Sequence, residues 1–147
     1  MSKVEAEEYT RDSYYQGQDL YHGTNQSAAD SITSEGARIE SESVNTYGEG
    51  FYLAFVRKTA EDYARLTKNP SVLTARVNVK NPRKFRDSID FENFLLENDI
   101  SADDLQSKTA SKLLIYQGFD AIEVGGNRIL VIIFNRTQIA IFQSEQV

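Results

Sequence analysis

Cysteine is missing from this 147-residue chain, and histidine occurs only once, at position 22. There is therefore no disulfide framework, thiolate nucleophile or zinc-thiolate cluster, and a multi-histidine metal centre is excluded as well. A carboxylate-only magnesium or calcium site stays open to the composition, but no acidic loop of the D-x-D-x-D-G type occurs and no metal is expected. Long apolar runs are absent too. The longest, Ile129 to Phe134 and Ile139 to Phe142, fall far short of the roughly 20 residues that span a bilayer. The polar start, Met1-Ser-Lys-Val-Glu-Ala-Glu-Glu, lacks the apolar segment of a signal peptide. A cytoplasmic protein without a membrane partner is the expectation, and an effector delivered into a host cytoplasm by another route would look the same. Basic charge is in deficit, with 16 Lys and Arg against 22 Asp and Glu and a net charge of -6. That balance disfavours nonspecific phosphate binding and argues against nucleic acid as an obligate partner, leaving room only for a local basic patch.

What is present suffices for one domain, large enough to bury roughly two-thirds of its unfolded surface. Residues 1–17 are polar without a clear period and read as a partly ordered arm, with a single domain over 18–147. Within it, Leu20 to His22 reads as a strand, and Asn25 or Ser27 can cap a helix through Ile32 that Gly36 stops. Residues 37–42 read as extended, and 46–50 as a loop. Phe51 to Phe55 has the composition of a buried strand, and Lys58 to Leu66 has helical spacing. Val72 to Val79 alternates with period two and is expected to stop at a turn at Asn81-Pro82. Phe91 to Leu96 and 103–116 read as helices, the second ending at Gly118. Asp120 to Val124, Ile129 to Phe134 and Gln138 to Phe142 read as strands, the first two joined by a hairpin turn within 125–128. Strands outnumber helices and do not alternate strictly with them, which points to an α+β fold.

Two clusters carry the chemistry. In Leu20-Tyr21-His22-Gly23-Thr24, the imidazole can offer one nitrogen as donor and one as acceptor to a ribose hydroxyl pair. Gly23 lets a planar ligand approach its backbone, and Thr24 adds a hydroxyl. In Gly48-Glu49-Gly50-Phe51-Tyr52-Leu53-Ala54, Phe51 and Tyr52 point to opposite faces of a strand, so one can fill the core while the other stacks on a ligand ring. Tyr63 follows on the next helix; both tyrosines have an alternative reading as ordinary core aromatics. The glycines do not form a phosphate-binding loop, having neither a Gly-Lys-Ser/Thr ending nor a dinucleotide fingerprint.

Taken in order, Leu20-x-His22-Gly23-Thr24, then Glu35-Gly36-Ala37-Arg38-Ile39, Gly48-x-Gly50-Phe51-Tyr52-Leu53-Ala54 and Ala60-x-x-Tyr63-Ala64, the chain resembles the catalytic domain of ADP-ribosyltransferases of the poly(ADP-ribose) polymerase or diphtheria-toxin type. The ending, Val131-Ile132-Ile133-Phe134-Asn135-x-x-Gln138-Ile139, is similar to that family's last catalytic strand and its continuation. The similarity covers residues 19 to 142 and is patchy from Pro82 to Gly118. It implies a split β-sandwich that holds NAD as co-substrate and releases nicotinamide while ADP-ribose passes to an acceptor. It further implies that His22 bonds the nicotinamide ribose, Gly23 anchors the carboxamide, Thr24 assists, and Tyr52 and Tyr63 sandwich the nicotinamide ring. Transfer of single ADP-ribose units to a protein is the expected outcome, with a nucleic-acid acceptor as an open alternative. A bacterial or phage effector fits that pattern. An Arg and Ser-Thr-Ser toxin pattern is missing, and RNA 2'-phosphotransferases would call for a second histidine.

The family's third catalytic residue, a glutamate, falls at Leu130 in this chain. In the family an apolar residue there goes with single-unit transfer or with loss of activity, which makes an inactive binding module of the same fold the alternative function. A turn centred on Gly126-Asn127 would set Glu123 opposite Leu130 on one face, with Cβ atoms about 5 Å apart, so that Glu123 could supply the carboxylate. A turn centred on Gly125-Gly126 would pair Glu123 with Arg128 instead and leave it a solvated edge residue.

Overall fold

The computed structural model describes residues 1–39, 46–101, 108–127 and 129–147. Parts of the stretches expected at 37–42 and 103–116, and Arg128, lie outside the described residues. Five α-helices and one seven-stranded sheet account for most of what is described, an α+β architecture. The helices are α1 (Lys3–Tyr9), α2 (Gln26–Glu35), α3 (Arg57–Ala64), α4 (Ser88–Glu97) and α5 (Thr109–Tyr116). The strands are β1 (Leu20–Asn25), β2 (Phe51–Ala54), β3 (Pro70–Val77), β4 (Pro82–Phe85), β5 (Ala121–Val124), β6 (Leu130–Ile133) and β7 (Ile139–Gln146). No helix among the described residues is long and apolar enough to cross a membrane.

Strand order is β4-β5-β6-β2-β1-β3-β7. β1 pairs with β3 along its whole length, from Leu20↔Ala75 to Asn25↔Pro70, yet meets β2 at the single pair Tyr21↔Ala54. Beyond that pair the two strands part. The sheet thus divides into a four-stranded and a three-stranded portion, the split that the family resemblance implies, and the seam runs beside His22-Gly23-Thr24. Local chemistry explains the flanking elements. Asn25 caps α2 by accepting from the Ala28 amide at 2.8 Å, and Gly36 ends the helix at a φ of +92°, which a residue with a Cβ adopts only under strain.

Two apolar cores lie on opposite faces of the four-stranded portion. Ile122, Val124, Leu130 and Ile132 pack with Phe91, Phe94 and Leu114 beneath α4 and α5, and Tyr52 rests against this cluster. Ala121, Val131 and Ile133 belong to the other, together with Leu20, Phe51, Leu53 and Tyr15.

Three sequence expectations differ from the structure. Pro82 opens a strand instead of a turn, because β4 pairs only with β5 at the sheet's outer edge, where a first residue lacking an N–H costs no ladder bond. Residues 1–17 contain α1, closed by a capping box in which Ser2 Oγ accepts from the Glu5 amide and the Glu5 carboxylate accepts from the Ser2 amide, both at 3.1 Å. The segment is held against the sheet: Ser13 Oγ accepts from the Val79 amide at 3.0 Å, the Tyr14 amide donates to the Val79 carbonyl, and buried Arg76 pairs with Asp19 at 2.6 Å and Glu7 at 3.8 Å. Third, β5 and β6 are joined by the five residues 125–129, with Val124↔Leu130 and Glu123↔Val131, so neither two-residue turn forms. A Cβ on Gly125 would stand 2.5 Å from the Arg86 carbonyl oxygen, so the connection leaves β5 pressed against the end of β4, where only glycine fits.

Candidate active site

The seam between β1 and β2 is bridged by the lone imidazole. His22 Nδ1 lies 2.7 Å from the Tyr52 carbonyl oxygen, and its ring stacks on Phe51 with centroids 4.2 Å apart and planes 27° apart. A carbonyl can only accept, so Nδ1 carries the proton and donates. Burial holds the imidazole pKa below its ordinary value, outweighing the opposing effect of that hydrogen bond, and the ring is neutral near pH 7. Nε2 is then a lone-pair acceptor, which fixes the donor and acceptor assignment that the sequence left open.

Gly23 has a packing role that the sequence did not show. A Cβ there would lie 1.9 Å from the Ala60 carbonyl oxygen, so the missing side chain is what lets α3 press onto β1. Ala60 and Ala64, one turn apart and buried, form the contact face of that helix. Tyr63, between them in sequence, turns outward and is 43 % exposed. Thr24 is half-buried and pairs with Ser71 in the ladder.

Tyr52 is half-buried on the face that bears Leu130 and Ile132, opposite Ile132 in the β2–β6 ladder. Its hydroxyl accepts from the Tyr47 amide at 2.8 Å and donates to the Gly48 carbonyl at 2.5 Å. Burial first, then the neighbouring phenols of Tyr47 and Tyr63, push its pKa above the ordinary tyrosine value, so it stays a neutral phenol. Burial first, then Tyr63, raise the Tyr47 pKa in the same way. Tyr47, an aromatic placed directly before Gly48-x-Gly50, is thus a direct neighbour of Tyr52 that the sequence did not single out.

Leu130 opens β6 opposite Ala54, 8 % exposed, on the Tyr52 face. Glu123 is on the other face. It stands opposite Val131, and its carboxylate accepts from the Tyr15 hydroxyl at 2.8 Å. Facing residues of an antiparallel pair share a side, so the register that would have set Glu123 beside Leu130 is off by one residue, and Glu123 turns away from Tyr52. It anchors the N-terminal segment instead.

The Asn135-x-x-Gln138 ending also has a structural explanation. Asn135 Oδ1 accepts from the Thr137 amide at 3.0 Å, and Gln138 Nε2 donates to the carbonyls of Asn78 and Asp120, both at 3.2 Å. It ties together the exit of β3, the entry of β5 and the start of β7. A cavity of about 340 Å³ lies there, between Phe119, Phe134 and Asn78, and none of His22, Tyr52 and Tyr63 lines it. Among the described residues no cluster of three or more His, Asp or Glu is placed to hold a metal.

The family model described as ADP-ribosyltransferase in polyvalent proteins matches residues 16–147. No match to the curated proteins was found. The matched span holds the split sheet, the His22 seam and the tyrosine-bearing strand and helix, and the chain belongs to this family of ADP-ribosyltransferase domains, whose activity is ADP-ribosyl transfer.

Proposed function

We propose that the chain is a mono-ADP-ribosyltransferase that takes NAD as substrate and transfers one ADP-ribose unit to a protein acceptor. The observation that supports it most is the parted seam: β1 and β2 share one pair, and beside it stands neutral His22, with Tyr52 on β2 and Tyr63 on α3, the helix pressed onto Gly23. In this reading Nε2 accepts from a hydroxyl of the nicotinamide ribose. The backbone of Gly23 holds the carboxamide, with Thr24 assisting, and the tyrosine rings flank the pyridinium, whose positive charge favours an aromatic face. The bond between ribose C1' and the pyridinium nitrogen breaks, its electron pair leaves with neutral nicotinamide, and a nucleophile of the acceptor bonds to C1' as it loses its proton. Leu130, where the family has glutamate, favours single-unit transfer, and Glu123 has no part in the mechanism.

A second reading, a module that keeps the ligand and has lost the chemistry, is favoured by the same Leu130, since no carboxylate stands at that place on the Tyr52 face. Purified protein incubated with labelled NAD and cell lysate separates the two. Transfer of label, with nicotinamide release reduced about a hundredfold or more in His22→Ala and Tyr52→Ala, supports the enzyme. A thermal shift with NAD but no turnover across varied lysates supports the module, and neither shift nor turnover sinks both.

A further inference from the structure

We propose that Tyr47 is a third wall of the ring slot formed by Tyr52 and Tyr63, and that the Tyr52 hydroxyl is the latch that sets this wall; the inference rests on the NAD reading of the site.

The Tyr52 side chain performs two separable tasks. Its ring lies against the core under α4, while its hydroxyl is fully committed to the loop before its own strand. That hydroxyl accepts from the Tyr47 amide at 2.8 Å and donates to the Gly48 carbonyl at 2.5 Å. The amide of Tyr47 and the carbonyl of the next residue, Gly48, are thereby tied to one oxygen, which has no second proton to give a ligand. The turn itself is held from the other side. Ser111 Oγ, on α5, donates to the Glu49 carbonyl at 2.8 Å, and Gly48 is buried at a φ of +96° with Ser111 Oγ 3.2 Å from where a Cβ would stand.

With its amide fixed, Tyr47 has its ring set edge-on to Phe91 of α4, with centroids 5.2 Å apart. The ring is half-buried, so one side of it is covered by the core and another is open. The bond from the Tyr47 amide keeps Tyr47 at the hydroxyl end of the Tyr52 ring, and Tyr63, after burial, raises the Tyr47 pKa, in keeping with that place. A flat ring held by Tyr52 and Tyr63 would therefore meet Tyr47 at its margin. The arrangement makes Tyr52 a positioning residue through its hydroxyl, in addition to any contact through its ring.

The test compares binding of nicotinamide with binding of ADP-ribose, which lacks the ring, by calorimetry on the full chain. Tyr52→Phe keeps the ring and removes the latch. Loss of hydrogen bonds worth about 1 kcal/mol predicts nicotinamide affinity roughly five- to tenfold weaker, with ADP-ribose affinity unchanged. Tyr47→Ala should do the same, Tyr47→Phe should stay near wild type, and Tyr52→Phe/Tyr47→Ala should be no worse than the weaker single variant, because the two act as one unit. If Tyr47→Ala melts below the assay temperature, Tyr47→Leu retains an apolar contact with Phe91 and puts the same question. Equal loss of both ligands, additive losses, or a Tyr47→Ala variant that binds nicotinamide like wild type would overturn the latch while leaving the NAD reading intact. A wild-type protein that binds neither NAD nor nicotinamide would overturn both.

Discussion

On one face of β6, Leu130 and Ile132 meet Tyr52; on the other, Val131 and Ile133 meet the core that Tyr15 closes. Both faces are apolar walls, and each carries tyrosines from a different part of the chain. The first borders the seam where β1 and β2 part. The second is sealed by residues 1–17, with Glu123 as an anchor for the Tyr15 hydroxyl. What separates a carboxylate facing the seam from one facing the N-terminal segment is a single residue of register between β5 and β6, since each step along a strand reverses the side.

The contrast can be broken most severely at Gly23. In Gly23→Ala the new methyl group would collide with the Ala60 carbonyl 1.9 Å away, a backbone atom that cannot step aside without moving α3. We expect a loss of about 3 kcal/mol in chemical denaturation, together with loss of NAD binding. Next comes Leu130→Glu, which places a carboxylate on the Tyr52 face. Burying it at an 8 % exposed position should lower stability by about 2 kcal/mol, while nicotinamide release per folded molecule should rise. An unchanged rate would remove Leu130 as the reason for weak or single-unit transfer.

The opposite face gives the complementary result. Tyr15→Phe leaves Glu123 without its donor and should cost about 1.5 kcal/mol, read as a lower denaturant midpoint, with nicotinamide release unchanged. A fall in turnover at constant stability would bring Glu123 back into the chemistry. The smallest effect is that of pH. The His22 pKa is lower in the folded chain than its ordinary value of 6.5, so between the two the unfolded chain binds more protons. Stability should therefore decline as pH falls through about 6.5, levelling off below the folded pKa, and that part of the decline should vanish in His22→Gln when the two melting profiles are subtracted.

Much of this was legible in the residues themselves. The Asn25 cap, the Gly36 stop and the existence of β3 are local effects that the structure reproduces, but β3 is buried on both faces from Ser71 to Val77 and the alternation read for it does not appear in its burial. α1 was missed although Ser2-x-x-Glu5 is a capping-box pattern, because seven residues with one buried alanine give no readable period. β4 was missed because a proline in a short basic stretch looks like a turn unless an outer-edge position is known. The β5–β6 register was missed because two glycines in succession allow turns of several lengths, and the choice is made by the close approach of Gly125 to Arg86.

The sequence by itself determined the fold class and the family, since these rest on residue types in a fixed order. Only the tertiary structure decided which nitrogen of His22 is free, which face Glu123 takes and where the Tyr52 hydroxyl is spent. Each of these depends on a partner about thirty or more residues away, or on the shape of a turn, and neither is encoded in a local pattern.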